Sequence, residues 1–249
     1  MRCYFYNPDQ NFGDLLTHYL MRRMFGVDLK VSEPGEAELF GIGSLAASVP
    51  DGFSGYILGT GIMHEAERHD WTSAKVLGLR GYRTAVRVKY FGDPVIGDPG
   101  LIIDRFAPKV EKQYDLGIIP HYVDKHDDRL KPWASKPGVC IIDIQSGVDA
   151  VIAKAAACRT IVSSSLHGLV LADSLGIPNQ WIRLSDKIGG GNFKFNDYYS
   201  AFGIRLEPVT SIGYVDLWER PGLRAIQDRL YQMIVDFGLS QGWTLNENS

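Results

Sequence analysis

Cysteine is scarce: Cys3, Cys140 and Cys158 are the only three in 249 residues. No C-x-x-C spacing links them, so neither a disulfide framework nor a zinc-knuckle pattern is encoded. Cys140 and Cys158 lie in apolar runs, and the three read as buried free thiols of a reducing compartment. The histidines lack ligand spacing as well. His64 and Glu65 open no H-E-x-x-H, and no metal site is expected. Excess charge is missing too: a formal net charge of −3 gives bulk electrostatics no pull on nucleic acid. No run of about 18 apolar residues occurs, so no membrane span is expected. The opening MRCYFYNPDQNFGD has no apolar core before its Asn-Pro break and does not read as a signal peptide. G-x-G-x-x-G and the P-loop lysine pattern are both absent, which removes the common nucleotide fingerprints. What remains is the ordinary balance of a globular cytoplasmic protein, with 45% hydrophobic and 22% charged residues and enough length for a packed core.

Short apolar runs recur along that length. Strands are expected at Arg2–Tyr6, Leu39–Gly43, Gly55–Leu58, Lys75–Leu79, Leu116–Ile119, Val139–Ile144, Thr160–Ser163 and Gln180–Arg183. Many are nearly continuous in Val, Ile and Leu, as strands covered on both faces should be. Helices are expected at Asp14–Phe25, Tyr82–Tyr90, Val148–Ala157, His167–Leu175 and roughly Val215–Phe237. In the first, Leu15, Leu16, Tyr19, Leu20 and Met24 share a face, Asp14 can cap the start and Gly26 can end it. Strands alternating with helices predict an α/β fold with parallel sheets. The polar stretch RFAPKVEKQY, with its proline, predicts a boundary that leaves residues 1–112 and 113–249 as two Rossmann-like halves with a cleft between them. The last helix is long enough to cross back onto the first half. Ligands in such sheets sit beyond the carboxyl ends of the strands, so the strand-to-helix turns carry the chemistry.

Those turns are unusually rich in candidates. Asn11, Gly13 and Asp14 precede the first helix; Gly41 to Ser44 and Gly59 to Gly61 follow later strands. A tight turn explains any one of these glycines. Three in succession at strand ends point to backbone N–H groups approached by a ligand, with Gly61 the clearest. Arg80 follows a strand directly and suits bidentate recognition of a carboxylate or phosphate, whereas Arg83 and Arg87 read as a solvated helix face. His121 and Tyr122 stand just after another strand. Lys194 follows Gly189 to Asn192, which read as a mobile loop, and precedes Tyr198 and Tyr199, which read as core.

The densest signal is S-S-S-L-H-G, residues 163–168, between an apolar strand and an apolar helix. Ser163 to Ser165 can cap the helix, Gly168 permits a close backbone approach, and His167 falls in the first turn beside unpaired N–H groups. That place suits an anion. A plain helix cap with a hydrogen-bonded histidine fits this segment equally well.

Together, N-F-G-D at Asn11–Asp14, the G-T-G turn, L-R-G-Y-R-T, G-D-P at Gly97–Pro99, S-S-S-L-H-G-L-V-L-A-D-S-L-G-I-P and K-F-N-D-Y-Y resemble the polysaccharide pyruvyl transferase family, and within it the branch that decorates bacterial exopolysaccharides. The resemblance spans roughly residues 5–202, and its most specific element is the L-H-G helix start with the downstream G-I-P. It implies a fold resembling GT-B glycosyltransferases. It implies transfer of the carboxyvinyl unit of phosphoenolpyruvate onto two hydroxyls of a sugar, forming a cyclic pyruvate ketal with no cofactor. The acceptor would be a surface-polymer precursor, on a lipid-linked oligosaccharide, reached at the inner face of the membrane. The donor would meet Ser164, Ser165, Leu166, His167 and Gly168, with Asn11, Gly13 and Gly61 as further contacts. His167 would bind phosphate and move protons, and Asp14 or His121 would act as base. Many relatives carry Arg where this chain has Ser165, so the cation must come from elsewhere, Arg80 or Lys194. Two rivals remain in view: a nucleotide-sugar glycosyltransferase and a non-catalytic carbohydrate-binding protein. A serine hydrolase built on Ser164 and His167 lacks the G-x-S-x-G elbow.

Overall fold

The computed structural model describes residues 1–6, 11–213, 215 and 218–246. Residues 7–10, part of the first loaded turn, and 214, 216 and 217, within the expected start of the last helix, lie outside the described residues. In chain order the strands are β1 (Arg2–Tyr4), β2 (Lys30–Val31), β3 (Leu39–Phe40), β4 (Tyr56–Leu58), β5 (His69–Asp70), β6 (Lys75–Leu79), β7 (Val88–Lys89), β8 (Val95–Ile96), β9 (Tyr114–Ile119), β10 (Val139–Ile141), β11 (Cys158–Ser163) and β12 (Asn179–Trp181). They form one six-stranded sheet, β2-β1-β3-β4-β6-β8, one four-stranded sheet, β10-β9-β11-β12, and the small pair β5-β7. Every pairing is parallel, with register set by partners such as Cys3 with Leu39 and Ile161 with Gly117. This is the mixed α/β architecture with parallel sheets that alternating apolar runs predict.

The helices are α1 (Phe12–Phe25), α2 (Tyr82–Ala85), α3 (Lys131–Ala134), α4 (Val148–Ala156), α5 (Leu166–Ser174), α6 (Phe193–Ser200) and α7 (Leu223–Ser240). α1 buries Leu16, Leu20, Met21 and Met24, and Gly26 ends it in the left-handed region at φ 66. Asp14 does not cap it. Asn11 holds the cap position, and Asp14 lies inside the first turn, where a carboxylate complements the helix dipole. α2 stops well short of Tyr90, because Val88 and Lys89 pair with His69 and Asp70; β-branched Val86 and Val88 weaken a helix there. α7 starts at Leu223 instead of near Val215, behind Pro221 and a left-handed Gly222 at φ 70.

The C-terminal helix does cross back. α7 packs on β6, β8, α1 and the 3-10 segment Pro99–Arg105, where Met233 meets Gly78 and Ile226 and Leu230 meet Gly97. One apolar cluster therefore runs through both sheets, joining Leu16 and Leu20 of α1, Ile102 and Ile103, Leu169 to Ala172 of α5, and Ile234 of α7. α6 crosses too, packing on α2 so closely that a Cβ on Gly81 would lie 1.8 Å from the Asp197 carbonyl oxygen. Among the described residues, no helix is long and apolar enough to cross a membrane.

Candidate functional site

Both large sheets point the carboxyl ends of their strands at a cavity of about 300 Å³. From the six-stranded side come Tyr4, Tyr6, Asn11, Asp14, Ser44 and Met63; from the four-stranded side come His121, Tyr122, Ser165, Leu166 and His167; Lys194 comes from α6, which packs on α2. Asn11, Asp14, His121, Ser165, Leu166, His167 and Lys194, all singled out in the sequence, are thus brought together. Gly13, Gly61, Arg80, Ser164 and Gly168 do not line the cavity.

The serines explain part of that division. Ser163 Oγ lies 2.7 Å from Ile119 O and accepts from Ser165 N at 3.0 Å. Ser164 Oγ donates to buried Asp124 Oδ2 at 2.7 Å and accepts from His121 N at 2.9 Å, so it is committed to holding two loops and offers no nucleophile. Asp124 also takes the Ser185 hydroxyl. Ser165 occupies the cap position of α5 with extended backbone, yet no side chain caps the helix. This departs from the expected serine cap and leaves the first turn, whose Leu166 and His167 line the cavity, without a side-chain cap. Gly168 permits close approach to the chain's own strand: an added Cβ would sit 2.4 Å from Ser163 Oγ and 3.0 Å from Ile119.

His167 is 7% exposed. Its Nε2 lies 3.5 Å from Asp98 Oδ2, and neither atom has a hydrogen-bond partner among the described residues. Asp98 is fully buried; its other oxygen accepts from Gly100 N at 2.9 Å and starts the 3-10 segment. The opposite ring edge rests on Gly13, where a Cβ would lie 1.9 Å from Nδ1. Gly13 therefore serves the site by making room for the imidazole.

Lys194 is also 7% exposed. Its ammonium donates no hydrogen bond within the described residues and lies 5.6 Å from the Phe195 ring centre. Burial, and then the charge of Arg80, bring its pKa down to about 8 against a partial offset from Asp14. His121 is driven further: burial, then Lys194 and His167, lower it to about 3, so the ring is neutral at pH 7. Its Nδ1 accepts from Val123 N at 3.4 Å, which leaves the proton on Nε2. Asn11 Nδ2 donates to Asp14 Oδ2 at 3.0 Å.

Arg80 stands one layer behind the wall. Its guanidinium, fully buried, donates to Asp197 Oδ2 at 2.8 Å, Ser44 Oγ at 2.6 Å and Ile62 O at 2.6 Å. Gly61 is small for its sake: a Cβ there would lie 2.4 Å from the guanidinium carbon. Asp197 also accepts from Thr84 N and Oγ1, at 2.7 and 2.8 Å. Arg87, expected on a solvated helix face, instead lies past the end of α2 with its side chain 16% exposed and paired with Glu65, whereas Tyr198 and Tyr199 are core as expected. Sequence reasoning passed over Asp98, Ser44 and Asp197 as site residues. Asp98 had a signal in G-D-P at a strand end, and Asp197 had one in K-F-N-D-Y-Y, both among the motifs that carry the resemblance.

Residues 50–186, more than half the chain, match the polysaccharide pyruvyl transferase family. The chain belongs to that family. It is 34% identical over 81% of its length to uncharacterized protein L143 of Acanthamoeba polyphaga mimivirus, covering 74% of that protein. It is 25% identical over 84% of its length to the succinoglycan biosynthesis protein ExoV of Rhizobium meliloti, covering 67% of it. The family span carries Asp98, His121 and His167 and the buried Arg80, whereas Asn11, Asp14 and Lys194 lie outside it. As in the exopolysaccharide branch of polysaccharide pyruvyl transferases, the chemistry to be accommodated is transfer onto a polysaccharide.

Proposed function

We propose that the cavity binds phosphoenolpyruvate and transfers its carboxyvinyl carbons to two hydroxyls of one sugar in an exopolysaccharide precursor. The observation that carries this is the convergence, in about 300 Å³, of a buried ammonium, an imidazole and the uncapped start of α5. Phosphoenolpyruvate carries about three negative charges near neutral pH, and helix N–H groups with cationic side chains are what such a ligand needs. Lys194, with Ser165 beside it where many relatives carry Arg, supplies the cation. Family membership supports the transfer, and similarity to a succinoglycan biosynthesis protein supports an exopolysaccharide acceptor.

The reaction adds the first sugar O–H across the enol double bond. Oxygen bonds to C2, the hydroxyl proton leaves to a base, and C3 gains a proton to become methyl. The second hydroxyl oxygen then takes the place of phosphate at C2 through an oxocarbenium-like carbon, its proton passing to the departing phosphate, which closes the ketal and releases inorganic phosphate. Lys194 and the α5 amides hold phosphate as its charge grows on departure. His167 contacts phosphate and moves protons. Asp14, held by Asn11 on the acceptor side, takes the hydroxyl proton. Neutral His121, with its proton on Nε2, donates a hydrogen bond and does not act as the base through that atom. The sugar enters over Tyr6 and Tyr122, on a lipid-linked oligosaccharide at the inner face of the membrane.

The test is a melting experiment without added metal. Phosphoenolpyruvate at about 100 times its Kd stabilises the fold by ~2.7 kcal/mol, and pyruvate does so much less. A shift with a nucleotide sugar and none with millimolar phosphoenolpyruvate would establish the glycosyltransferase instead. His167→Gln keeps a donor but loses the charge and the proton. It lowers donor affinity by about 10- to 150-fold and kcat by a further ~10²–10⁴-fold.

A further inference from the structure

Two of the buried polar atoms left without partners near the cavity, where Asn11 Oδ1 is another, face each other. Asp98 Oδ2 and His167 Nε2 are 3.5 Å apart, and no other group among the described residues satisfies either. They come from opposite sheets. Asp98 follows β8 at the head of the 3-10 segment, and His167 stands in the first turn of α5, which packs directly on that segment. The contact is close, since a Cβ on Gly100 would lie 3.0 Å from Val170 of α5. The imidazole is thus held between a carboxylate on one edge and Gly13 on the other.

We propose that Asp98 is a positioning residue that holds neutral His167 as the Nε2–H tautomer, so that Nδ1, on the ring edge beside Gly13, is the nitrogen left with a lone pair to take a proton. A carboxylate with its other oxygen already engaged by Gly100 N can only accept at Oδ2. The proton of the neutral ring therefore settles on the nitrogen that faces it, and Nδ1 keeps its lone pair. When Nδ1 takes a proton, the imidazolium lies beside a buried anion, and Nε2–H stays on Asp98 throughout. The site is complete only while the two sheets are docked, because one supplies the ring and the other its orienting carboxylate.

This rests on the reading of His167 as a proton-transfer group, but the tautomer can be read with no ligand present. The experiment is ¹⁵N NMR of histidine-labelled protein at a pH where His167 is neutral, with its signals assigned by loss in His167→Gln. Wild-type protein shows the Nε2–H pattern. Asp98→Asn keeps an acceptor for Gly100 N but can turn an amide N–H toward Nε2, so the ring moves to the Nδ1–H tautomer. With phosphoenolpyruvate as donor, kcat of that variant falls by ~10²–10⁴-fold while KM changes less than about threefold. A wild-type ring found as Nδ1–H overturns the proposal, even if Asp98→Asn fails to fold. So does a folded Asp98→Asn protein that keeps both the wild-type tautomer and the wild-type kcat. If phosphoenolpyruvate proves not to be the donor, the tautomer result stands unaltered.

Discussion

Adding one methyl group at Gly13 tests the site with little disturbance of the fold. The backbone of Gly13 is helical, so alanine meets no φ strain, and Ala is a better helix former than Gly by up to ~1 kcal/mol. Its Cβ, however, would fall 1.9 Å from His167 Nδ1, 2.4 Å from Cγ and 2.6 Å from Cε1, where ordinary contact begins at 3.4 Å. The imidazole must retreat by about 1.5 Å along the Nδ1 direction, judged by ordinary carbon contact distances. Asp98 Oδ2, 3.5 Å behind Nε2, blocks a straight retreat, so the ring must rotate away from both neighbours. A misplacement of about 1 Å at a catalytic group costs roughly 10²-fold in rate, so Gly13→Ala should lose at least about 100-fold in kcat. Steady-state turnover of phosphoenolpyruvate, with Tm on the same preparation, gives the answer. Gly35→Ala is the control, because nothing lies within 4 Å of a Cβ there. A Gly13→Ala protein with normal Tm and turnover within about threefold of wild type would refute the placement of His167 in the reaction.

Lys194→Met removes the buried ammonium, and donor affinity measured by calorimetry should fall by about 10- to 150-fold, the value of a charge-assisted hydrogen bond. Because burial holds the Lys194 pKa at about 8, below the ordinary 10.5, the charged form is lost as pH rises through 8. Wild-type donor affinity should decline above that pH and the Lys194→Met affinity should not; parallel profiles would remove Lys194 from the donor site. Without ligand the sign for stability is opposite. The unfolded chain binds more protons than the fold between about pH 8 and 10.5, so the penalty this buried group places on folding is relieved progressively as pH rises through that window. Arg80→Met strands Asp197 in a pair that is fully buried on both sides, which costs about 3–5 kcal/mol and ~10 °C or more in Tm. An unchanged melting curve would show that the Arg80–Asp197 pair does not hold α6 against α2.

Local order was open to sequence reading where neighbouring residues decide it. The apolar runs at Leu116–Ile119 and Thr160–Ser163 became the central strands β9 and β11, and the stretch after His167 became α5, because continuous burial on both faces leaves a nearly unbroken hydrophobic signal. Gly26 marked the end of α1 for an equally local reason, the left-handed φ that glycine accepts. Short edge strands such as β5, β7 and β8 carry too few residues for periodicity to speak, and β7 cut short a helix that Tyr82–Tyr90 seemed to offer. The clustering of Asn11, Asp14, His121 and His167 at strand ends was foreseeable, since parallel sheets put their turns on one side. What each side chain does there was decided only by tertiary contacts. Arg80 reads as a ligand-binding cation until Asp197, 117 residues along the chain, takes its Nε–H and draws it behind the wall. Lys194 becomes the cavity's ammonium because α6 crosses onto α2. His167 gains its carboxylate only when α5 docks against the segment headed by Asp98. Sequence spacing records hydrophobic periodicity and turn chemistry over a few residues, whereas the pairing of charges across two sheets is set by packing that brings distant segments within a few ångströms.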